Sequence, residues 1–322
     1  MELSKFLDLK DISLIPNQIS YIESRKSINT SSKLGDLEIN IPIIAAPMND
    51  VCDGDFGDKL VKLGCFGIIH RFCSIEQQIK EFYKNPKLAC AIGINNDYLE
   101  RFITLNNTGC NMFCIDIANG GNSKIKNIIE ELLNIGPTSQ FIVGNVASKE
   151  VFEWLSSIKG VVGIRVGVSG GFACTTKNAT GIYNPMASLI IQCKSVKKEN
   201  GPAIIADGGI KEPQDLCKAI ALGANYVMMG SVLASALESP AELIKNGDTY
   251  YKVYHGSASF EIQSIHKEKP NYIEGTTKLL PFNDESIEQI VERFSDGLKS
   301  CMSYFNSSNI ETFQKNSNWC IV

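Results

Sequence analysis

Eight short apolar, β-branched runs, spaced along the chain, constrain its fold more than any other feature. They are Pro42–Ala46, Gly67–His70, Ala89–Ile94, Met112–Ile117, Phe141–Val146, Val161–Val168, Ala203–Asp207 and Tyr226–Gly230. Runs that are apolar on both faces suit a parallel sheet covered on both sides. Between them lie helical patterns, among them Ile75–Tyr83, Lys124–Leu133, Lys149–Ser157 and Pro213–Leu222. Eight strands alternating with helices predict an α/β fold, a (β/α)8 TIM barrel. A doubly wound sheet would alternate in the same way, but no GxGxxG follows the first strand. The expectation is one barrel domain over residues 1–322, with an active-site loop at about 251–280 and a C-terminal helical segment at about 285–315.

Polar residues recur where the strands end. His70, Asn95, Asp116, Asn145, Cys174, Asp207 and Ser231 all fall at or just past a predicted C-terminal strand end, the face on which barrel enzymes carry their chemistry. Asp207-Gly208-Gly209 and Gly230-Ser231 are glycine turns after the seventh and eighth strands. Such turns present backbone N–H groups to phosphate, and a carboxylate beside them suits ribose hydroxyls. Cys174 sits in the loop Gly170-Gly171-Phe172-Ala173-Cys174-Thr175-Thr176. A thiol held at a strand end by a glycine loop, with two hydroxyls next to it, is a candidate nucleophile. The other cysteines among the 11 read as small core hydrophobes.

Composition narrows the partners. A net charge of −4 provides no basic field for nucleic acid. No run approaches a membrane span and the N-terminus carries no signal-peptide core. An odd cysteine count without a CxxC pair fits reduced thiols, so a cytoplasmic protein is expected.

In order and spacing, Ile41–Val51, Gly67-Ile68-Ile69-His70-Arg71, the Cys174 loop, Ala206-Asp207-Gly208-Gly209-Ile210, Gly230-Ser231, Tyr254-His255-Gly256, Glu274-Gly275 and Leu298–Met302 resemble the IMP dehydrogenase/GMP reductase family. The resemblance covers nearly the whole chain. Ile115-Asp116-Ile117-Ala118-Asn119-Gly120 is similar to the reductase's Asp-Val-Ala-Asn-Gly; no CBS-type insertion interrupts the chain; and Gly256–Glu274 contains no Arg-Tyr pair of the kind the dehydrogenase uses to activate water. These features favour the reductase branch.

The resemblance implies reductive deamination of GMP to IMP and ammonia by NADPH. Cys174 would attack the purine C2 to give a thioimidate, with Thr176 and Glu274 as the proton relay. Substrate contacts would come from Asp207, Gly208, Gly209, Gly230, Ser231, Gly256, Ser257 and Ala258. Ser24, Arg25, Arg71, Asp116, Ile117, Ala118, Asn145, Lys299 and Ser300 would face the cofactor, and the carbonyls of Ser169, Gly171 and Cys174 would hold potassium. A homotetramer is also implied. Several positions depart from the family: Phe172 replaces a phosphate-binding serine and would crowd that pocket, Ser257-Ala258 replace Met-Ser, and Asn271 replaces an arginine. These point to the same chemistry on a modified or differently phosphorylated purine. The alternatives are an IMP dehydrogenase, a non-catalytic purine-nucleotide binder and a flavin-dependent barrel.

Overall fold

The computed structural model describes residues 6–95, 97–266 and 272–322. Eight parallel strands close into a barrel: β1 Ile43–Ala45, β2 Phe66–Ile69, β3 Ala89–Ile92, β4 Met112–Asp116, β5 Gln140–Val146, β6 Val161–Val166, β7 Ala203–Asp207 and β8 Tyr226–Met229. They pair in sequence order, and β8 returns to β1 with Val227 opposite Ile43. The (β/α)8 expectation is met. Six of the predicted runs extend one or two residues past the strands, because Ala46, His70, Gly93, Ile117, Gly167 and Gly230 already belong to the loops at the mouth.

Local sequence explains the alternation. Ser74, Ser148 and Asp53 each cap a helix by accepting a backbone N–H, from Gln77 (3.2 Å), Val151 (3.3 Å) and Phe56 (2.8 Å). The helices Ile75–Lys84, Lys124–Ile135, Lys149–Ser156 and Pro213–Leu222 then lay an apolar stripe on the sheet. The N-terminal mouth is plugged by a hairpin, Ser32–Leu34 with Leu37–Ile39. Fully buried Leu34 packs on Gly163, where a Cβ would sit 3.0 Å from the leucine methyl. Burial of one such side chain is worth about 1.5–3 kcal/mol, so the plug closes the inert end and leaves chemistry to the other.

At the C-terminal mouth, the segment expected to be a loop is largely regular. Strands Leu243–Asn246, Thr249–His255 and Thr277–Pro281 form an antiparallel sheet, and Phe260–His266 is a helix. The aromatic and β-branched residues Tyr250, Tyr251, Val253 and Tyr254 are the strand signal under its polar composition. Lys252 points inward and donates from Nζ to the carbonyls of Ala241 (3.1 Å), Ser239 (3.2 Å) and Leu237 (3.4 Å), which ties the flap to the chain leaving β8. Ile287–Tyr304 is the expected amphipathic helix, followed by Ile310–Asn316. No helix among the described residues is long and apolar enough to cross a membrane.

Candidate active site

The Cys174 loop and the flap are joined by backbone hydrogen bonds. Thr175 N–H donates to Glu274 O and Thr276 N–H to Ala173 O, both at 2.9 Å, making an antiparallel bridge between Cys174 and Gly275. That bridge carries Glu274 across 98 residues of sequence to Thr176. Cys174 Sγ lies 3.2 Å from Thr176 Oγ1, which lies 2.7 Å from Glu274 Oε2. Thr176 is buried. The hydroxyl therefore accepts from the thiol and donates to the carboxylate, a continuous path for one proton.

These three residues line a cavity of about 250 Å³ at the mouth of the barrel. Asp207, Gly256, Ser257 and Ala258 line it too, as do Arg71, Asp116, Ile117, Ala118 and Asn145. Ser169 and Gly171 border it, so most of the expected site converges. An adjoining cavity of about 410 Å³ shares Arg71, Phe72, Ile117, Ser257 and Ala258 and extends toward Asn95, Arg101 and Gln263.

Other expected residues fall outside both cavities. Gly208, Gly209, Gly230 and Ser231 line neither cavity, and Gly209 is exposed. A Cβ on Gly230 would be 2.5 Å from Tyr254 Oη, and one on Gly208 would be 2.8 Å from the Gly170 carbonyl carbon. Ser24 instead caps the short turn Arg25–Ser27, which packs against the Ile287–Tyr304 helix that carries Lys299 and Ser300. These four residues line neither cavity of this chain. His70 lines neither cavity and accepts at Nδ1 from the Phe72 N–H (3.2 Å). Asn271 lies outside the described residues.

Phe172 lies apart from the thiol. Its ring does not line the cavity; it is 45 % exposed and lies 5.9 Å from Lys211 Nζ. The residues expected to bind phosphate lie outside that cavity too, and Lys211 follows Gly209 by two residues, so the ring stands on the side of the glycine turn expected to hold phosphate. The cysteine expectation holds in the core and fails at three positions. Burial pushes the Cys114 and Cys193 thiols up to about 12, which keeps them protonated and inert. Cys73, Cys301 and Cys320 are half-buried.

Arg165, Tyr254, Met48 and Phe72 line the cavity without having been assigned a role from sequence. Arg165 carried a signal: it is the one charged residue in the run Val161–Val168. Tyr254 is buried, and burial, then the charges of Asp207, Asp50 and Cys174, hold its phenol neutral. Its hydroxyl points at Met48 Sδ, 3.3 Å away. The next residue, His255, is held by Asp50, whose Oδ2 accepts from the His255 N–H at 2.6 Å and lies 2.9 Å from its Nδ1.

Gly208 yields a direct test of loop placement. Its φ of +107° disfavours any side chain, and an added Cβ would press on the Gly170–Gly171 backbone that supports Cys174. Gly208→Ala should cut kcat/KM by about a hundredfold, the order expected when a catalytic group moves by about 1 Å, while circular dichroism stays native.

The model of the IMP dehydrogenase / GMP reductase domain matches residues 7–322. A GMP reductase of Streptococcus agalactiae serotype III is 33 % identical over 326 residues, spanning 97 % of this chain and 96 % of its own. An inosine-5′-monophosphate dehydrogenase of Cryptosporidium parvum is 30 % identical over 380 residues, spanning 98 % and 92 %. A GMP reductase of Streptococcus pyogenes serotype M4 is 32 % identical over 326 residues, spanning 97 % and 96 %. With the closed parallel barrel and a cysteine on its C-terminal mouth, the chain belongs to the IMP dehydrogenase/GMP reductase family.

Proposed function

We propose that this protein is an NADPH-dependent reductase that converts GMP, or a closely related guanine nucleotide, to the hypoxanthine nucleotide and ammonia. The observation that carries the reading is the chain from Cys174 Sγ through Thr176 Oγ1 to Glu274 Oε2, at 3.2 and 2.7 Å. The thiol passes its proton along this chain to the carboxylate as sulfur bonds to C2 of the purine. Glu274, now protonated, returns the proton through Thr176 to the amino group on C2. Ammonia leaves with the electrons of the C2–N bond, and a thioimidate remains on Cys174. When bound, NADPH would supply the hydride that replaces sulfur at C2, releasing the Cys174 thiolate. Arg71, Asp116, Ile117, Ala118 and Asn145, which line the same cavity as Cys174, would hold the nicotinamide half.

A monovalent cation fits the Cys174 loop. Among the described residues the carbonyls of Ser169 and Cys174 accept no hydrogen bond, and Gly171 O accepts only the Cys174 N–H at 3.1 Å, leaving a lone pair free. These three oxygens would hold potassium and stiffen the turn that presents the thiol. The residues that would hold the purine, ribose and phosphate are Asp207, Gly208, Gly209, Gly230, Ser231, Gly256, Ser257 and Ala258.

The dehydrogenase reading has one observation in its favour, the similarity to the Cryptosporidium parvum enzyme over almost the full chain. Against it, the sequence holds no arginine between Arg165 and Arg293, so the flap has no Arg-Tyr pair to activate water. Loss of NADPH absorbance with GMP, dGMP and guanosine, beside NAD⁺ reduction with IMP, separates the two. Turnover in the second assay alone would replace the reductase reading, and silence in both would leave a nucleotide binder.

Phe172 offers a milder test of the same reading. Phe172→Ser would restore a hydroxyl in the loop without leaving a buried cavity, because the ring is exposed. A charge-assisted hydrogen bond is worth about 1.5–3 kcal/mol, so KM for GMP should fall about tenfold or more. KM for guanosine, which lacks the phosphate, should not change. Equal changes in both would place the phosphate elsewhere.

A further inference from the structure

The barrel interior holds a charged network in which the two acids, Asn145 and Arg71 carry assigned roles and Arg165 does not. Arg165 sits within β6 among buried aliphatic residues, and its side chain is only 8 % exposed. Its guanidinium divides its donors between two strands. One terminal nitrogen donates to Asp116 Oδ1 at 2.6 Å, while Nε and the other terminal nitrogen each lie 2.9 Å from Asp207 Oδ2. Asn145 Nδ2 adds a 2.7 Å bond to the same Asp207 oxygen and reaches Gly167 O at 2.8 Å. Arg71 Nε stands 3.5 Å from the other Asp116 oxygen. Burial pulls the Arg165 guanidinium toward neutrality, and Asp207 and then Asp116 outweigh it, so the arginine stays charged.

Such a network is a poor device for stability. Desolvating buried charges costs several kcal/mol per ion, and well-packed apolar residues often do as well or better. What it fixes is geometry. Each acid gives one oxygen to Arg165 and keeps the other side of its carboxylate for the cavity that both residues line. Asp207 Oδ1 takes no hydrogen bond from any described residue. Asp116 Oδ2 faces Arg71 at the border of the two cavities.

We propose that Arg165 is a positioning residue that couples the two ligands: it holds Asp207 against the substrate ribose and Asp116 against the cofactor, so that filling one half of the site orders the other. This rests on the reductase reading, in which Asp207 and Asp116 face substrate and cofactor. A rigid planar fork joining two carboxylates on β4 and β7 transmits a small shift of either acid to the other. An ammonium on a flexible stem cannot span both in the same way.

The test measures GMP affinity by calorimetry with and without saturating NADP⁺, for the wild type, Arg165→Lys and Arg165→Met. Cys174 alkylation by iodoacetamide serves as the control for an intact loop, because Arg165 does not touch Cys174. The wild type should bind GMP at least about fivefold more tightly when NADP⁺ is present, the lower end of ordinary coupling. In both variants that ratio should fall to about one, with KM for GMP and for NADPH raised together and alkylation of the free enzyme within about twofold of wild type. Arg165→Lys keeps a cation in the core, so its result stands if Arg165→Met does not fold. A variant that folds, alkylates normally and keeps the wild-type ratio overturns the proposal, as does a wild type that binds both ligands without coupling. A wild type that binds neither GMP nor NADP⁺ overturns the reductase reading, and this inference with it.

Discussion

Cys174→Ala should abolish turnover of the guanine nucleotide, lowering kcat by at least about a thousandfold, because no other group stands in its place. Thr176 is the neighbouring nucleophile by distance, but its hydroxyl donates to Glu274, and its pKa is far above that of a thiol. The variant should fold normally. Cys174 is half-buried, its backbone bonds do not involve sulfur, and a substitution of this kind usually changes stability by no more than about 0.5 kcal/mol. Nucleotide affinity should stay within a few fold, since the contacts assigned to ribose and phosphate come from Asp207 and the glycine turns. Intact-mass spectra of wild type with GMP should show a purine adduct that disappears in the variant. Residual turnover above about one per cent, or an adduct that persists, would remove Cys174 from the chemistry.

How far this site was legible depended on whether its geometry was local. The barrel followed from eight apolar runs and the helical periods between them, since both signals repeat within a few residues. Cys174 with Thr176 was legible for the same reason: they are two apart on one glycine-supported turn. Glu274 was not legible from spacing. Its meeting with Thr176 is set by the backbone bridge between Cys174 and Gly275, and only the resemblance to a known family pointed to it. Arg165 was hidden because a run of aliphatic residues reads as core, and the two acids that make its burial tolerable lie 49 and 42 residues away in sequence. The flap reads as a loop because Ser, Lys and His dominate its composition, whereas its strand pairs through the aromatic and β-branched stretch Tyr250–Tyr254. Phe172 shows the reverse case. Its identity is plain, but its direction shows only in the fold, where the ring meets Lys211, far along the sequence.

Glu274→Gln should retain the shape of the relay and lose its function. The amide still accepts from Thr176 Oγ1, so the loop and flap stay joined, but it neither takes up the thiol proton nor delivers one to the leaving amine. General acid–base steps of this kind contribute about a hundred- to ten-thousandfold, and kcat should fall within that range. Iodoacetamide should still label Cys174, more slowly than in wild type, since the proton has lost its acceptor at 2.7 Å from Thr176. Thr176→Val interrupts the same path at its middle and should fall in the same range. The double variant separates a relay from two independent contributions. If Cys174, Thr176 and Glu274 move one proton along one path, removing the second link after the first adds little, and Thr176→Val/Glu274→Gln should be within about threefold of the worse single variant, the non-additivity expected of residues that act as a unit. Losses that multiply would mean that Thr176 and Glu274 act on different protons. Glu274 would then serve the departing ammonia through its own contact with the purine, and Thr176 would only orient the thiol.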